Sequence, residues 1–521
     1  MFSKIFRRGG EAKRGGRFIS APPPKEVATL ERMWEAAMTD TQTLGWFGDL
    51  GITALSLRTQ LWTIRRRCRE AAKNDPYVCR ALQLYRNNVI GAQGVKLNMD
   101  VRRPKDGGDG DESDLDASGR LEEAWQLWAE SPEYCDIEGR KSLVAFLQAA
   151  VREWKLEGEA VIHIAHSPLN PFGVELKLYR ADQLAVDIIR QRSGDERAIL
   201  NGVEVNDEGR PVAYWFRTQM GPSGLFTGEP YRVPARQILH LFDEDEPGQT
   251  RGVPIFANVL KDLRIAHGYD LAELIAARID ACRVGTWKND GGGDTSQIAD
   301  STPGIGYTDS TEPGEARIAG EGWDFKPDAP SRPNAGYGQF KKDVLRRVAS
   351  GLSVSYNTLA NDLEGVSYSS IRAGTLEDRE VYKLMQQTVI DNVLRPLFRR
   401  RDGWLDSFLA SPMAARFRFT PADADRLRLA DNWLPRRWSW VDPHSESMAN
   451  EIAVAHHWTT NTDIAAESGK DFYSNVDTAK QENDWMQEKG VEYASTSSAP
   501  VKGGDANQTE RKAKTKNEQG T

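Results

Sequence analysis

Nothing in this 521-residue chain is long and apolar enough to cross a bilayer. Its longest apolar stretches, such as "LVAFLQAAV" (Leu143–Val151), reach about half of the roughly 20 residues a spanning helix needs. The opening "MFSKIFRRGG" is basic but lacks the apolar core of a secretory signal. The expectation is a protein without membrane contact, made or assembled in a cytoplasm. Cysteine is scarce: Cys68, Cys79, Cys135 and Cys282 are widely spaced and none forms a C-x-x-C pair. That argues against a zinc ribbon or a disulfide framework and leaves four reduced thiols. Signatures of catalysis are missing too. The Gly469–Lys470 pair has no glycine five residues before it and is followed by Asp471, so it is no phosphate-binding loop. Neither H-E-x-x-H nor G-x-S-x-G occurs. Gly291–Gly293 sits in a polar stretch without the strand–turn–helix setting of a nucleotide site.

An excess of positive charge is absent as well. The 68 Lys and Arg against 76 Asp and Glu leave a net charge of −8, which excludes a protein that coats nucleic acid with its whole surface. The basic residues gather locally at Arg65–Arg67, Lys341–Lys342, Arg346–Arg347 and Arg399–Arg401. An acidic body with such spots can hold DNA loosely. The last group follows Pro396 at an expected helix end, where it complements the helix dipole.

What is present is 39% hydrophobic and 28% charged residues, the balance of a folded chain of about two to four domains. The first 25 residues, basic and ending in "APPPK", read as a disordered arm. Two helices follow, punctuated at Asn74 and Asp75–Pro76. The acidic loop Pro104–Ser118 has an Asp109-x-Asp111-x-Ser113 spacing. Its sixth position is Asp114 and its twelfth Arg120, which breaks calcium-loop geometry. From Trp154 to Asp243 the pattern alternates as strands do, in "EAVIHIAH", "VELKLYRADQLAVDI", "PVAYWFR" and "RQILHLF", with a turn at Asn206–Gly209. His163 and His166 sit in one strand at a spacing of three, on opposite faces, and cannot share a metal.

Pro254–Val284 then has a helical period, with Gly268 as a weak point or kink. Residues 285–335 are rich in Gly, Pro, Asp and Ser, with strand-like pieces at "ARIA" and "WDFKP". A second helix, "GQFKKDVLRRVASGL", is expected to end at Gly351. Loop-like "SVSYNTLANDLEGVSYSS" leads to a long helix over about 369–399, which Pro396 should kink or end. One helix leads out to a loop-rich module and another leads back. That is a stalk with a tip, an unusual plan for a compact enzyme.

One stretch invites a catalytic reading. "VDPHSESMANEIAVAHHW" carries His444, His456 and His457, with Glu446 and Glu451 between. Within one helix, His456 and His457 would project about 100° apart, and His444 would lie about 18 Å from His456. A shared metal would prefer i,i+4 spacing. An amphipathic helix built on Met448, Ile452, Val454 and Ala455 accounts for the stretch without a metal.

Five segments taken together bear on function. They are "NDPYVCRAL", "VNDEGRPVAYWFR", Gly248–Gly285 ("GQTRGVPIFANVLKDLRIAHGYDLAELIAARIDACRVG"), Ser350–Glu380 ("SGLSVSYNTLANDLEGVSYSSIRAGTLEDRE"), and the histidine stretch through "AAESGKDFYSNVDTAKQENDWMQEKGV". In this order the chain resembles, from about residue 55 to 495, the lambda-type portal proteins of tailed bacteriophages, or head–tail connectors. The resemblance implies an α+β portal fold: a mixed α/β wing, a long helical stem, a small loop-rich clip and a helical crown. It implies a ring, usually of twelve identical subunits, at one capsid vertex of the virion, assembled in host cytoplasm. Double-stranded DNA would be packaged and ejected through its channel. Terminase, head–tail connector and adaptor proteins, and major capsid and scaffold proteins would be partners, with no cofactor and no catalysis. By segment, the wing would be 26–250 with 403–440, the stem helices 251–284 and 336–353, and the clip 285–335. A tunnel loop would be 354–368, a long kinked helix 369–402, the crown 441–495, and a disordered tail 496–521.

On that footing Lys342 and Arg346, i,i+4 on the second stem helix, are candidates to line the channel, with Lys341 and Arg347 behind them. Salt bridges to a neighbouring subunit, through Asp262 or Glu273, are the alternative use of the same residues. Asn361, Asp362, Leu363 and Glu364 are the loop candidates for DNA proximity. Two other functions stand against the portal reading. One is a metal-dependent nucleic-acid enzyme using His444, Glu446 and His456; the other is a structural virion protein without a channel.

Overall fold

The computed structural model describes residues 53–104, 111–193, 196–221, 226–282, 285–289, 323–327, 336–438, 443–467 and 472–490. All belong to one compact unit, Ile52–Thr521. The terminal arms 1–25 and 496–521 lie outside the described residues. Of the Gly-rich module 285–335, only an antiparallel pair is described, Gly285–Asn289 with Trp323–Pro327. The "WDFKP" piece is the second of these strands, and "ARIA" lies outside the described residues.

The first helix, Ala54–Asn74, buries Leu57, Leu61, Arg65 and Cys68 along one stripe. Asp75 ends it and caps the next, Pro76–Tyr85, by accepting the Tyr77 and Val78 N–H groups on Oδ1. This is the expected break, made by a carboxylate that satisfies otherwise unpaired amides. A π-turn, Arg86–Ile90, follows. Further on, Asp111–Ser113 pairs as a strand with Arg102–Pro104, so Asp111 and Ser113 of the calcium-like spacing are strand residues, while Asp109 lies outside the described residues.

Helix Leu143–Glu157 leads through Gly158 into strand Glu159–His166. That strand is the centre of a three-stranded antiparallel sheet, between Ile238–Phe242 and Val174–Tyr179. A second sheet runs Tyr231–Pro234, Pro211–Phe216, Val203–Val205, Ala198–Leu200. Its last two strands join through Asn201–Gly202, both at positive φ, as a two-residue hairpin turn demands. The Asn206–Gly209 turn forms where expected, with Asn206 Oδ1 accepting the Arg210 N–H at 2.7 Å. His163 is half-buried beside Tyr179, and His166 is exposed on the other face.

Distant parts of the sequence share one core. Strand Lys96–Met99 pairs with Asp431–Leu434. Above that pair Trp125 meets Trp404 at 4.9 Å and Trp433 at 5.3 Å between ring centroids, and Trp404 stacks on Phe408 at 5.0 Å. Such aromatic pairs add to an already large burial of apolar area.

From this body a short 3₁₀ turn, Ile255–Asn258, opens the outgoing helix Leu260–Cys282. Gly268 neither ends nor interrupts it. The return helix, Tyr337–Gly351, is closed by Ser353 in the left-handed region (φ 53), not by Gly351. The Val354 N–H reaches the Ala349 carbonyl and the Ser353 N–H reaches Ser350, a Schellman closure. Gly351 is needed for another reason: a Cβ there would stand 2.5 Å from Val259 Cγ1. The stretch read as loop contains a short helix, Tyr356–Ala360, because Asp378 accepts the Ser355 N–H and hydroxyl. The long helix Tyr368–Val389 continues through a π-turn, Ile390–Leu394, to Arg399. The wide turn lies directly ahead of Pro396, where a residue without an N–H must be accommodated.

Candidate functional site

The return helix carries four candidate cations, and the structure gives each a carboxylate within the same chain. Lys342 Nζ lies 3.2 Å from Asp362 and 3.6 Å from Glu364, so two of the loop candidates meet one of the helix candidates. Arg346 pairs with Asp343 at 3.0 Å and lies over the Tyr356 ring. Lys341 and Arg347 turn instead toward the outgoing helix, to Asp270 at 2.9 Å and Asp262 at 2.5 Å. Asp262, named above as a partner across subunits, thus serves within one subunit.

The loop is held in shape by its own chemistry. Asn361 ends the short helix at φ 55, a left-handed position that asparagine tolerates. Asp362 accepts the Tyr356 hydroxyl at 2.8 Å and the Glu364 N–H at 3.1 Å. Leu363 and Glu364 project into solvent, Glu364 with 87% of its side chain exposed. The Tyr356 hydroxyl, the Glu364 amide and Lys342 hold the Asp362 carboxyl below the usual carboxylate range. Its hydrogen bond to Asp362 raises Lys342 in turn. Tyr356 is pushed up to about 12, by burial and by donating to Asp362. Burial pulls the Lys341 ammonium down, but its bond to Asp270 more than restores it. The lysines and Asp362 are therefore ionised at neutral pH. In solvent such pairs add little to folding; they set the surface potential of this face.

A second charged cluster is buried and was not legible as a site in the sequence. Glu159, without solvent exposure, receives both Arg251 Nε contacts at 2.9 Å, Arg65 at 3.0 Å, His240 Nε2 at 3.1 Å and the Gly252 N–H at 3.2 Å. Arg251 spends its other donors on the carbonyls of Ala181, Leu184 and Asn201. Around it, Arg69 bridges Glu157 and Asp182, and Lys155 meets Asp243. Burial alone would raise the Glu159 carboxyl, but Arg251 and Arg65 hold it well below its ordinary range. Arg65, read above as part of a local basic spot, is buried. The signal available was its place on the Leu57–Leu61–Arg65–Cys68 stripe, a charge where an apolar residue belongs. Arg251 lies in the "GQTRGVP" segment that the resemblance singled out. This cluster locks the central strand, the first helix and the Asn201–Gly202 hairpin to the root of the outgoing helix.

The histidine stretch contains no such convergence. Its helix, Pro443–Ala455, stops before both His456 and His457. His457 takes the left-handed closing position (φ 59), with Trp458 N–H bonded to Ala453 and His457 N–H to Val454. The expectation that the two histidines share a helix is corrected: they form its end, and His456 stacks on Trp458. His444 is exposed near the other end. Among the described residues no group of three His, Cys, Asp or Glu is placed to hold a metal. No described helix is long and apolar enough to cross a membrane.

Comparison with known proteins adds an independent line. Residues 39–386 match the family described as "Phage portal protein, lambda family". A "Probable portal protein" of Halomonas phage phiHAP-1 is 30% identical over 482 residues, covering 90% of each chain. "Portal protein B" of Escherichia phage lambda is 24% identical over 449 residues, 80% of this chain and 78% of its own. A solved chain described as "Neck of empty GTA particle computed with C6 symmetry" is 14% identical, covers 82% of this chain and 98% of its own, and has a TM-score of 0.46.

Proposed function

This chain belongs to the lambda family of phage portal proteins, and from that premise we propose how its parts serve a portal. The family's role is structural and not enzymatic, and packaging and head–tail connection are typical of it. In the proposed arrangement twelve copies form a ring at one vertex of the virion capsid, assembled in host cytoplasm. Double-stranded DNA passes through it, terminase and connector proteins dock in turn, and capsid and scaffold proteins surround it. The wing comprises 26–250 with 403–440, supported by the pairing of Lys96–Met99 with Asp431–Leu434. The outgoing and return helices are the stem, and 285–335 the clip. The segment 354–368 is the tunnel loop, 369–402 the long helix and 441–495 the crown. Lys342, Arg346 and Asn361–Glu364 border the channel, with Lys341 and Arg347 behind them.

One observation carries the ring. The root of the outgoing helix packs on the body through Leu263 and, just ahead of the helix, Val259, both buried. Beyond them Ile265, Leu271, Leu274 and Ile275 are each more than half exposed. A helix with so much uncovered apolar surface needs another surface, and a repeated copy offers it by a heterologous contact that closes into a ring. Burying one such side chain contributes about 1.5–3 kcal/mol. Leu274→Glu/Ile275→Glu is therefore expected to abolish rings in mass measurement and electron microscopy while the subunit still melts cooperatively. Rings of unchanged mass would overturn the proposed contact. Deleting Asn361–Glu364, by contrast, is expected to leave rings intact and to lower DNA packaging severalfold. Normal packaging would remove the loop from the channel.

A further inference from the structure

We propose that Asp362 and Glu364 act as built-in phosphate mimics: they occupy Lys342 and keep this helix face from gripping a nucleic-acid backbone. The inference rests on the reading that places this face beside DNA. Its basis is geometric. Two carboxylates from a separate loop approach the Lys342 ammonium at 3.2 and 3.6 Å, both within ion-pairing distance, so they stand where a phosphate would otherwise be attracted. The loop is shaped for the task, since the Tyr356 hydroxyl and the Glu364 N–H orient Asp362 and the left-handed Asn361 turns the chain toward the helix. The pairing is systematic. All four cations at Lys341, Lys342, Arg346 and Arg347 face acids of their own chain, at Asp270, Asp362 with Glu364, Asp343 and Asp262.

Solvent-exposed pairs of this kind do little for folding, so their effect is on what the face attracts. Each lysine that neutralises a phosphate releases a counterion and steepens the dependence of binding on salt by about 0.9 in log–log slope. Repeated around a ring, unmasked lysines would brake a sliding duplex. Because the mask comes from the loop, a change in loop position would expose the lysine. Grip would then depend on where the loop lies.

The test uses the purified full chain and a mixed-sequence DNA duplex of about 30 base pairs, followed by fluorescence anisotropy across a salt series. Asp362→Asn/Glu364→Gln is expected to bind the duplex roughly tenfold more tightly at low salt, with a steeper salt slope. Adding Lys342→Gln to that variant is expected to remove the gain. Glu123→Gln/Glu208→Gln, which removes two exposed charges elsewhere, is expected to change nothing. Three results overturn the proposal: no gain in the loop variant, a gain that survives Lys342→Gln, or an equal gain in the distant control. Mass measurement on the same samples separates the two readings. Rings with unaltered binding sink the masking alone, whereas an unmodified chain that never forms rings sinks the portal arrangement.

Discussion

Glu159→Gln is expected to cost about 3–5 kcal/mol of folding stability, a large share of what a protein of any size has in reserve. Glutamine keeps the shape but not the charge, so Arg251 would remain buried without its counter-ion and Arg65 would keep only the more distant Asp182, at 3.9 Å. Arg251 cannot retreat to water, because its remaining donors are committed to the Ala181, Leu184 and Asn201 carbonyls. Urea denaturation of the subunit is the measurement, and a loss below about 1 kcal/mol would contradict the account. Acidity gives a second readout. The folded carboxyl sits well below its ordinary range, so its contribution is complete above the unfolded value of about 4.3 and declines as pH falls toward the folded value. Glu157 runs the other way: burial raises its carboxyl despite Arg69, so its burden lightens on acidification. Comparing Glu159→Gln with the unmodified chain cancels that second effect. The stability gap between them is expected to be widest near neutrality and to narrow below about pH 4.5. A gap constant from pH 7 to 3 would show that Glu159 is not held as a carboxylate.

The same cluster marks the boundary of what the sequence made legible. Local signals were readable where one or two residues decide the outcome. Asp75–Pro76 separates two helices because a carboxylate cap and a proline act within three residues. The alternation in "EAVIHIAH" marks the strand, but not its burial: its first four residues, Glu159 included, are all buried. The i,i+4 spacing put Lys342 and Arg346 on one face, but not their partners. Asp362 and Glu364 reach Lys342 only after a short helix that depends on Asp378, 23 residues beyond Ser355. Arg251 and Glu159 are 92 residues apart, and no periodicity links them. Helix ends at Ser353 and His457 were missed for a simpler reason: left-handed closure is usually read from glycine, and neither has one there. Function was legible by another route, since several ordered segments resembled one family while no single motif carried chemistry.

The second large effect is expected from Gly158→Ala and Gly252→Ala. These glycines pack backbone against backbone where the central strand begins and the outgoing helix is rooted. A Cβ on Gly158 would lie 2.5 Å from the Val253 carbonyl carbon and 2.6 Å from the Gly252 oxygen. One on Gly252 would lie 2.0 Å from the Gly158 oxygen and 2.7 Å from Phe242 Cβ. No rotamer relieves a clash with main chain, so the two segments must separate. Separation pulls the Gly252 N–H and Arg251 away from Glu159 and couples the steric cost to the buried charges. Overpacking alone costs about 1–3 kcal/mol, and Gly158 adds strain because its φ of +89° disfavours any side chain. Both variants are therefore expected to melt well below the unmodified chain and to yield few rings. Gly268→Ala supplies the contrast, since that glycine lies within the outgoing helix and a Cβ there would meet nothing within 4 Å. There alanine is expected to stabilise by about 0.5–1 kcal/mol through helix propensity. Opposite signs at glycines only 16 residues apart in the chain, Gly252 and Gly268, would place the constraint at the backbone contact and not in glycine content. If Gly252→Ala melted with the unmodified chain, the close approach at the root of the helix would be wrong, and with it the mechanical link from the buried charges to the outgoing helix.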